Sequence, residues 1–237
     1  NPFPSPAIPG QNPWKAGDIP PRASLSFRDD RLTGGMPFAT PALVNSRAKL
    51  PEVLGFHWLP LSPLVADTEA YMESIISFTE AMLDEGVPLM IGIDALHHVA
   101  LAKKIVKSAA SKQRSHLLGF YGDIHLYVAN PLTLAYFSQA IPRFLFAYRW
   151  IEGEKSTGPL ESPDSAKSPG MPLLVDVGPG FNPPLFLSKA CLLRHHLGGG
   201  SCPMPCGKKM NSTIKDRDRR YVTVVEDCIS MMFASPE

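Results

Sequence analysis

The sequence predicts an α/β fold built on a parallel sheet or barrel. Short apolar, β-prone runs alternate with helix-period stretches between residues 68 and 151. Residues suited to capping and stopping helices stand between these runs, and a further strand-like run, MPLLVDVG (171–178), resumes the pattern after a break.

Residues 1–50 are expected to be mostly irregular. Seven prolines fall at positions 2, 4, 6, 9, 13, 20 and 21, and each lacks an amide donor and fixes its φ angle. The chain begins at Asn1 rather than Met, as a fragment or a processed form would. Residues 51–190 form the predicted barrel-like region. Within it, TEAYMESIISFTEAMLDE (68–85) places Met72, Ile75, Ile76, Met82 and Leu83 at helical spacing, with Asp67 and Thr68 as candidate N-caps and Gly86 as the stop. VPLMIGI (87–93) reads as a buried strand. Asp94 is then expected to cap a second helix, ALHHVALAKKIVKSAA, burying Leu96, Val99, Ala100 and Val106.

HLLGFYGDIHLYVAN (116–130) has strand character, a short helix follows from Pro131 to Gln139, and RFLFAYRWI (143–151) is the next strand. Residues 152–170 mix Ser, Pro, Gly and charge and are expected to form a surface loop. PPLFLSKACLL leads from the last of these strands into the final segment, 191–237, which holds all four cysteines. No internal repeat is visible.

With 23 basic and 22 acidic residues the formal charge is +1, so any polyanion site must be local. No apolar run reaches the roughly 18 residues of a membrane span, and no signal peptide is visible, so a cytoplasmic, reducing setting is expected. The spacing Cys191-x10-Cys202-x3-Cys206-x21-Cys228 admits several readings. Disulfides fit poorly with that setting. Scattered core cysteines fit poorly with the Gly, Pro and Lys around Cys202 and Cys206. Four thiolates suit either zinc or an iron–sulfur cluster; Gly198, Gly199 and Gly200 would let backbone amides approach, and Pro203 and Pro205 would stiffen the loop. Spacing leaves both metals open. His195 and His196 are alternative ligands beside them.

MPLLVDVG, PPLFLSKACLLRHH, CPMPCGKK and IKDRDRRYVTVVEDC together resemble the cysteine-rich signature of the peptidase U32 (collagenase-like) family, and GFYGDIHLYVANPLTLAYFS (119–138) resembles its barrel segment. The resemblance spans residues 87 to 232. It implies a TIM-barrel-like fold, incomplete because the family's Gly-Ala-Asp-x-hydrophobic-Tyr strand is not apparent. It also implies a C-terminal 4Fe–4S cluster held by Cys191, Cys202, Cys206 and Cys228. Family members take part in oxygen-independent hydroxylation in ubiquinone synthesis and in hydroxylating RNA bases. A partner subunit of the same family and an RNA or small aromatic substrate are therefore expected. Proteolysis, which the family label states, has no other support: neither H-E-x-x-H nor G-x-S-x-G occurs. A zinc-stabilised RNA- or protein-binding module is the alternative of a different class.

Asp123, His125 and Asn130 are the candidate catalytic residues, since barrel enzymes gather such groups at strand ends. By strand alternation Asp123, His125 and Tyr127 would share a face opposite Ile124, Leu126 and Val128. His97 and His98 read as packed or partly exposed helix residues, and Glu152 as a strand-end group. KKMNSTIKDRDRR (208–220) reads as a solvated, salt-bridged loop, with phosphate contact as the functional alternative.

Overall fold

A computed structural model of the chain describes residues 19, 50, 52–61, 69–150, 172–177, 184–188, 210–217, 219–226 and 229–234. They fall into two units, each with its own sheet.

The first unit runs β1 (Glu52–Val53), β2 (Phe56–Pro60), α1 (Glu69–Asp84), β3 (Leu89–Ile93), α2 (His98–Ser111), β4 (Leu118–Gly122), α3 (Pro131–Ala140), β5 (Phe144–Arg149) and β6 (Leu173–Asp176). Its six-stranded sheet has the order β1-β2-β3-β4-β5-β6. The β1–β2 pair is antiparallel and every later pair is parallel. Strands in sequential order with crossovers of one hand place their helices on one face of the sheet. The unit is thus mixed α/β, with the strand sequence found in one side of a barrel.

Side chains alternate between two buried faces. One gathers Phe56, Trp58, Met90, Tyr121, Phe146, Tyr148 and Val175 into a single apolar cluster. Tyr121 stacks on Phe146 with ring centroids 5.3 Å apart and planes 8° from parallel, while Trp58 tilts against Tyr121 at 5.2 Å. Such pairs add about 0.5–1.5 kcal/mol to their area burial. The Trp58 indole Nε1–H is satisfied by the Val53 carbonyl at 3.0 Å. Room for these rings comes from glycine: Gly92 pairs with Tyr121, and Gly119 with Met90. A Cβ on Gly92 would sit 2.6 Å from Tyr121 ring atoms. The other face carries Leu59, Leu89, Ile91, Ile93, Leu118 and Phe120, all buried.

The α1 expectation holds in outline. Ile75, Phe78, Met82 and Leu83 are buried, whereas Met72 and Ile76 are only half-buried. Thr79 lies in the buried stripe because its hydroxyl donates to the Ile75 carbonyl at 2.8 Å. Gly86 ends the helix at φ +76°, its amide donating to the Leu83 carbonyl at 3.0 Å. Asp67 and Thr68 lie outside the described residues.

Three expectations need correction. First, Asp94 does not cap α2 with its side chain, and the helix begins at His98. Its buried stripe is His98, Leu101, Ala102, Ile105 and Ala109, not Leu96, Val99, Ala100 and Val106. Leu96 precedes the helix and is 73% exposed; an Ala- and Val-rich stretch leaves the helical phase ambiguous, and Leu96 set it wrongly. Second, the strand after residue 116 stops at Gly122, and Ile124–Leu126 form a 3-10 turn. Asp123, His125 and Tyr127 therefore do not alternate on one strand face.

Third, the basic stretch is a hairpin and not a loop. The second unit runs β7 (Phe186–Ser188), β8 (Met210–Asp216), β9 (Arg219–Glu226) and β10 (Ile229–Ala234), in the antiparallel order β7-β10-β9-β8. Asp216 pairs with Arg219 at the tip, Lys215 with Arg220 behind it, and Arg217 turns at φ 52°. All five are exposed, as the solvated reading expects. Thr223, Val225 and Ser230 are buried. No helix among the described residues is long and apolar enough to cross a membrane. The expected loop at 152–170, Glu152, His195, His196 and all four cysteines lie outside the described residues.

Candidate acid–base site

Two parallel strands end in the same way: IGI is followed by Asp94, and FYG by Asp123. Ile93 and Gly122 are cross-strand partners, so the two aspartates stand side by side one position beyond the ladder. The Asp123 amide extends the pairing by donating to the Ile93 carbonyl at 2.8 Å. Both carboxylates are buried, at 3% and 0% exposure, which for two acids demands local compensation.

His125 supplies much of it. The 3-10 turn after Asp123 brings the His125 amide to donate to Asp94 Oδ1 at 2.7 Å. The His125 ring meets Asp94 Oδ2 through Nδ1, also at 2.7 Å. A backbone and a side-chain bond from one residue to both oxygens of one carboxylate fix the ring's position. Asp123 Oδ1 accepts the Ile124 amide at 2.9 Å, which starts the turn. Burial, and next the Asp123 charge, push Asp94 up to about 7 against the opposing pull of His125. Asp94 is therefore close to half-protonated near neutral pH.

His98 completes the floor. Its Nδ1 accepts the Asp94 amide at 3.1 Å. Burial, with the neighbouring His97, pushes its pKa down to about 3. The ring is therefore neutral, with its proton on Nε2, a buried atom for which no partner occurs among the described residues. Further along the carboxyl edge of the sheet, Arg149 Nε donates to Asp176 Oδ1 at 3.0 Å, tying the ends of β5 and β6 together.

The expected catalytic residues divide. Asp123 and His125 belong to this site. Asn130 stands at the N-cap of α3, its Oδ1 accepting from the Thr133 amide at 2.9 Å and from the Thr133 hydroxyl at 3.2 Å. Its side chain holds the helix start. Asp94 and His98 were not singled out for chemistry from the sequence, although the repeated apolar-strand–Asp ending at 94 and 123 is a readable signal. Among the described residues no group of three or more His, Cys, Asp or Glu is arranged to hold a metal ion.

No family model, curated protein or solved structure matches the chain.

Proposed function

We propose that the chain is an enzyme of TIM-barrel-related architecture whose chemistry is proton transfer at His125, oriented by Asp94. The observation that supports it most is the double bond from His125 to the Asp94 carboxylate at the carboxyl end of β3. When Asp94 is ionised, Nδ1–H donates to Oδ2 and Nε2 becomes the basic nitrogen. Nε2 is buried in this structure, so a substrate must displace the groups that cover it to come within hydrogen-bond reach. Asp94 stabilises the imidazolium that forms when Nε2 takes a proton, while Asp123 opposes full ionisation of Asp94. With its pKa raised to about 7, Asp94 changes protonation state near neutral pH, where acid–base catalysis is most effective.

The test is a substrate panel of esters, amides, phosphoesters and nucleosides, run with the parent chain and two variants. His125→Gln is expected to lower any turnover found by about 10²–10⁴-fold, the usual contribution of a positioned acid or base. Asp94→Asn is expected to lower it less and to shift the pH profile. Turnover equal to the parent's in His125→Gln overturns the reading.

A second reading adds a cofactor. Four cysteines at 191, 202, 206 and 228 and the resemblance to the U32 family support a 4Fe–4S cluster serving oxygen-independent hydroxylation or RNA modification. Such a cluster, when bound, supplies electron transfer. Zinc in a binding module is the competing occupant. Protein purified without oxygen is expected to be brown, with iron and sulfide in equal amounts, and Cys202→Ala to bleach it. A colourless preparation holding one zinc overturns the cluster.

A further inference from the structure

The peptide that joins Ile93 to Asp94 is held at both of its polar atoms. Its carbonyl accepts the Asp123 amide at 2.8 Å, and its N–H donates to His98 Nδ1 at 3.1 Å. The C=O and N–H of a trans peptide point in opposite directions, so the chain beyond β4 grips this unit from one side and His98 from the other. The His98 side faces β2. Among the described residues, the last bond between β2 and β3 runs from the Leu61 amide to the Gly92 carbonyl at 3.2 Å. In a parallel ladder the next donor toward β2 is the Asp94 amide. Here the imidazole accepts it, in the part a strand carbonyl would play.

This grip bears directly on the dyad. Fixing the peptide plane fixes the Asp94 Cα, and the carboxylate reaches His125 from there. Oδ1 accepts the His125 amide and Oδ2 meets its Nδ1, both at 2.7 Å, so a swing of the peptide would disturb both bonds together. The His98 ring is well placed to prevent that swing. It is 1% exposed and belongs to the first residue of α2, within the buried stripe of that helix. Burial, and next His97, push its pKa down to about 3. An acceptor at Nδ1 has to be neutral, since an imidazolium has only donors.

Resting on the acid–base reading above, we propose that His98 is the positioning residue of the dyad: its Nδ1 holds the Ile93–Asp94 peptide and so sets the Asp94 carboxylate against His125. It acts through Asp94 and takes no proton in the reaction.

The test compares the full chain with His98→Asn and His98→Leu by NMR of the His125 imidazole. Asn carries Oδ1 as many bonds from the backbone as Nδ1 and can accept the amide; Leu fills the space and accepts nothing. In the Leu variant the His125 Nδ1–H signal is expected to move toward that of free imidazole. Turnover of any substrate the panel finds is expected to fall by about 10²-fold in kcat, with KM little changed. Asn is expected to recover most of both. An unchanged His125 signal in the Leu variant overturns the proposal, as does an Asn variant no better than Leu. If the Leu variant does not fold, the parent decides through the nitrogen shifts of its own His98 ring. A proton on Nε2 is expected; a proton on Nδ1, which could not accept the Asp94 amide, overturns the proposal. His125→Gln tests the acid–base reading by itself. Unchanged turnover there fails that reading, while the His98 ring and the Asp94 amide signal still report the positioning.

Discussion

Gly92→Val is expected to destabilise the first unit by about 3 kcal/mol, the upper part of the range for overpacked cores. A Cβ at this position meets Tyr121 ring atoms at 2.6 Å and the Pro60 Cα at 3.1 Å. Tyr121 has nowhere to retreat, because Phe146 stacks on it while Trp58 and Tyr148 pack against it. Pro60 is backbone in a neighbouring strand and moves only with the sheet. Gly86 offers the contrast: a Cβ there meets nothing within 4 Å, so Gly86→Ala carries only the strain of φ +76°. Urea unfolding of the two variants checks the account. Equal midpoints would remove the packing argument.

Asp94→Asn is expected to stabilise the protein above pH 7 and to leave it unchanged near pH 4. The Asp94 carboxyl sits at about 7 in the fold against 3.8 when unfolded. Between those values the folded form holds more protons, so this group's contribution is full below pH 4 and is lost as pH rises through 7. His98 acts in the opposite sense. Its pKa is about 3 in the fold against 6.5 unfolded, so its contribution is full above pH 6.5 and is lost as pH falls toward 3. In the parent the two slopes offset each other between pH 4 and 6.5. Asn at position 94 removes one of them, leaving stability that climbs steadily through that window. Three pK units correspond to about 4 kcal/mol, and a lost charge-assisted bond to His125 returns part of it, leaving a gain of about 2 kcal/mol at pH 9. Urea unfolding at pH 4, 5.5, 7 and 9 measures it. Parallel pH profiles in parent and variant would show that Asp94 is ionised in the fold at no cost.

Much of the first unit is legible in the sequence because its signals are local. VPLMIGI is too short and too uniformly apolar for a surface helix, and Gly86 stops α1 as its position predicts. The strand expected at RFLFAYRWI (143–151) is observed over Phe144–Arg149, and the helix opening at Pro131 lies where periodicity places it. β2 was passed over, since FHWLP offers a His and a closing Pro in place of clean alternation. Its strand state comes from parallel pairing with β3, which is a long-range contact. The site shows the same division. Asp123 and His125 are readable as strand-end polar groups. Asp94 resembles a helix cap in sequence, and only the packing of β3 beside β4 turns its carboxylate toward His125. The like-charged Lys215–Arg220 pair was equally hidden, because composition shows charge and not register.

The sequential strand order carries a consequence for how the first sheet assembles. From β2 onward, each strand pairs with the one synthesised just before it. Every new ladder therefore closes over the single connection that precedes it and never over the whole chain, which keeps the loop-closure entropy of each step small. The sheet is able to grow by accretion as the chain leaves the ribosome. The Asp94–His125 contact would form once β4 docks on β3, before β5 is needed.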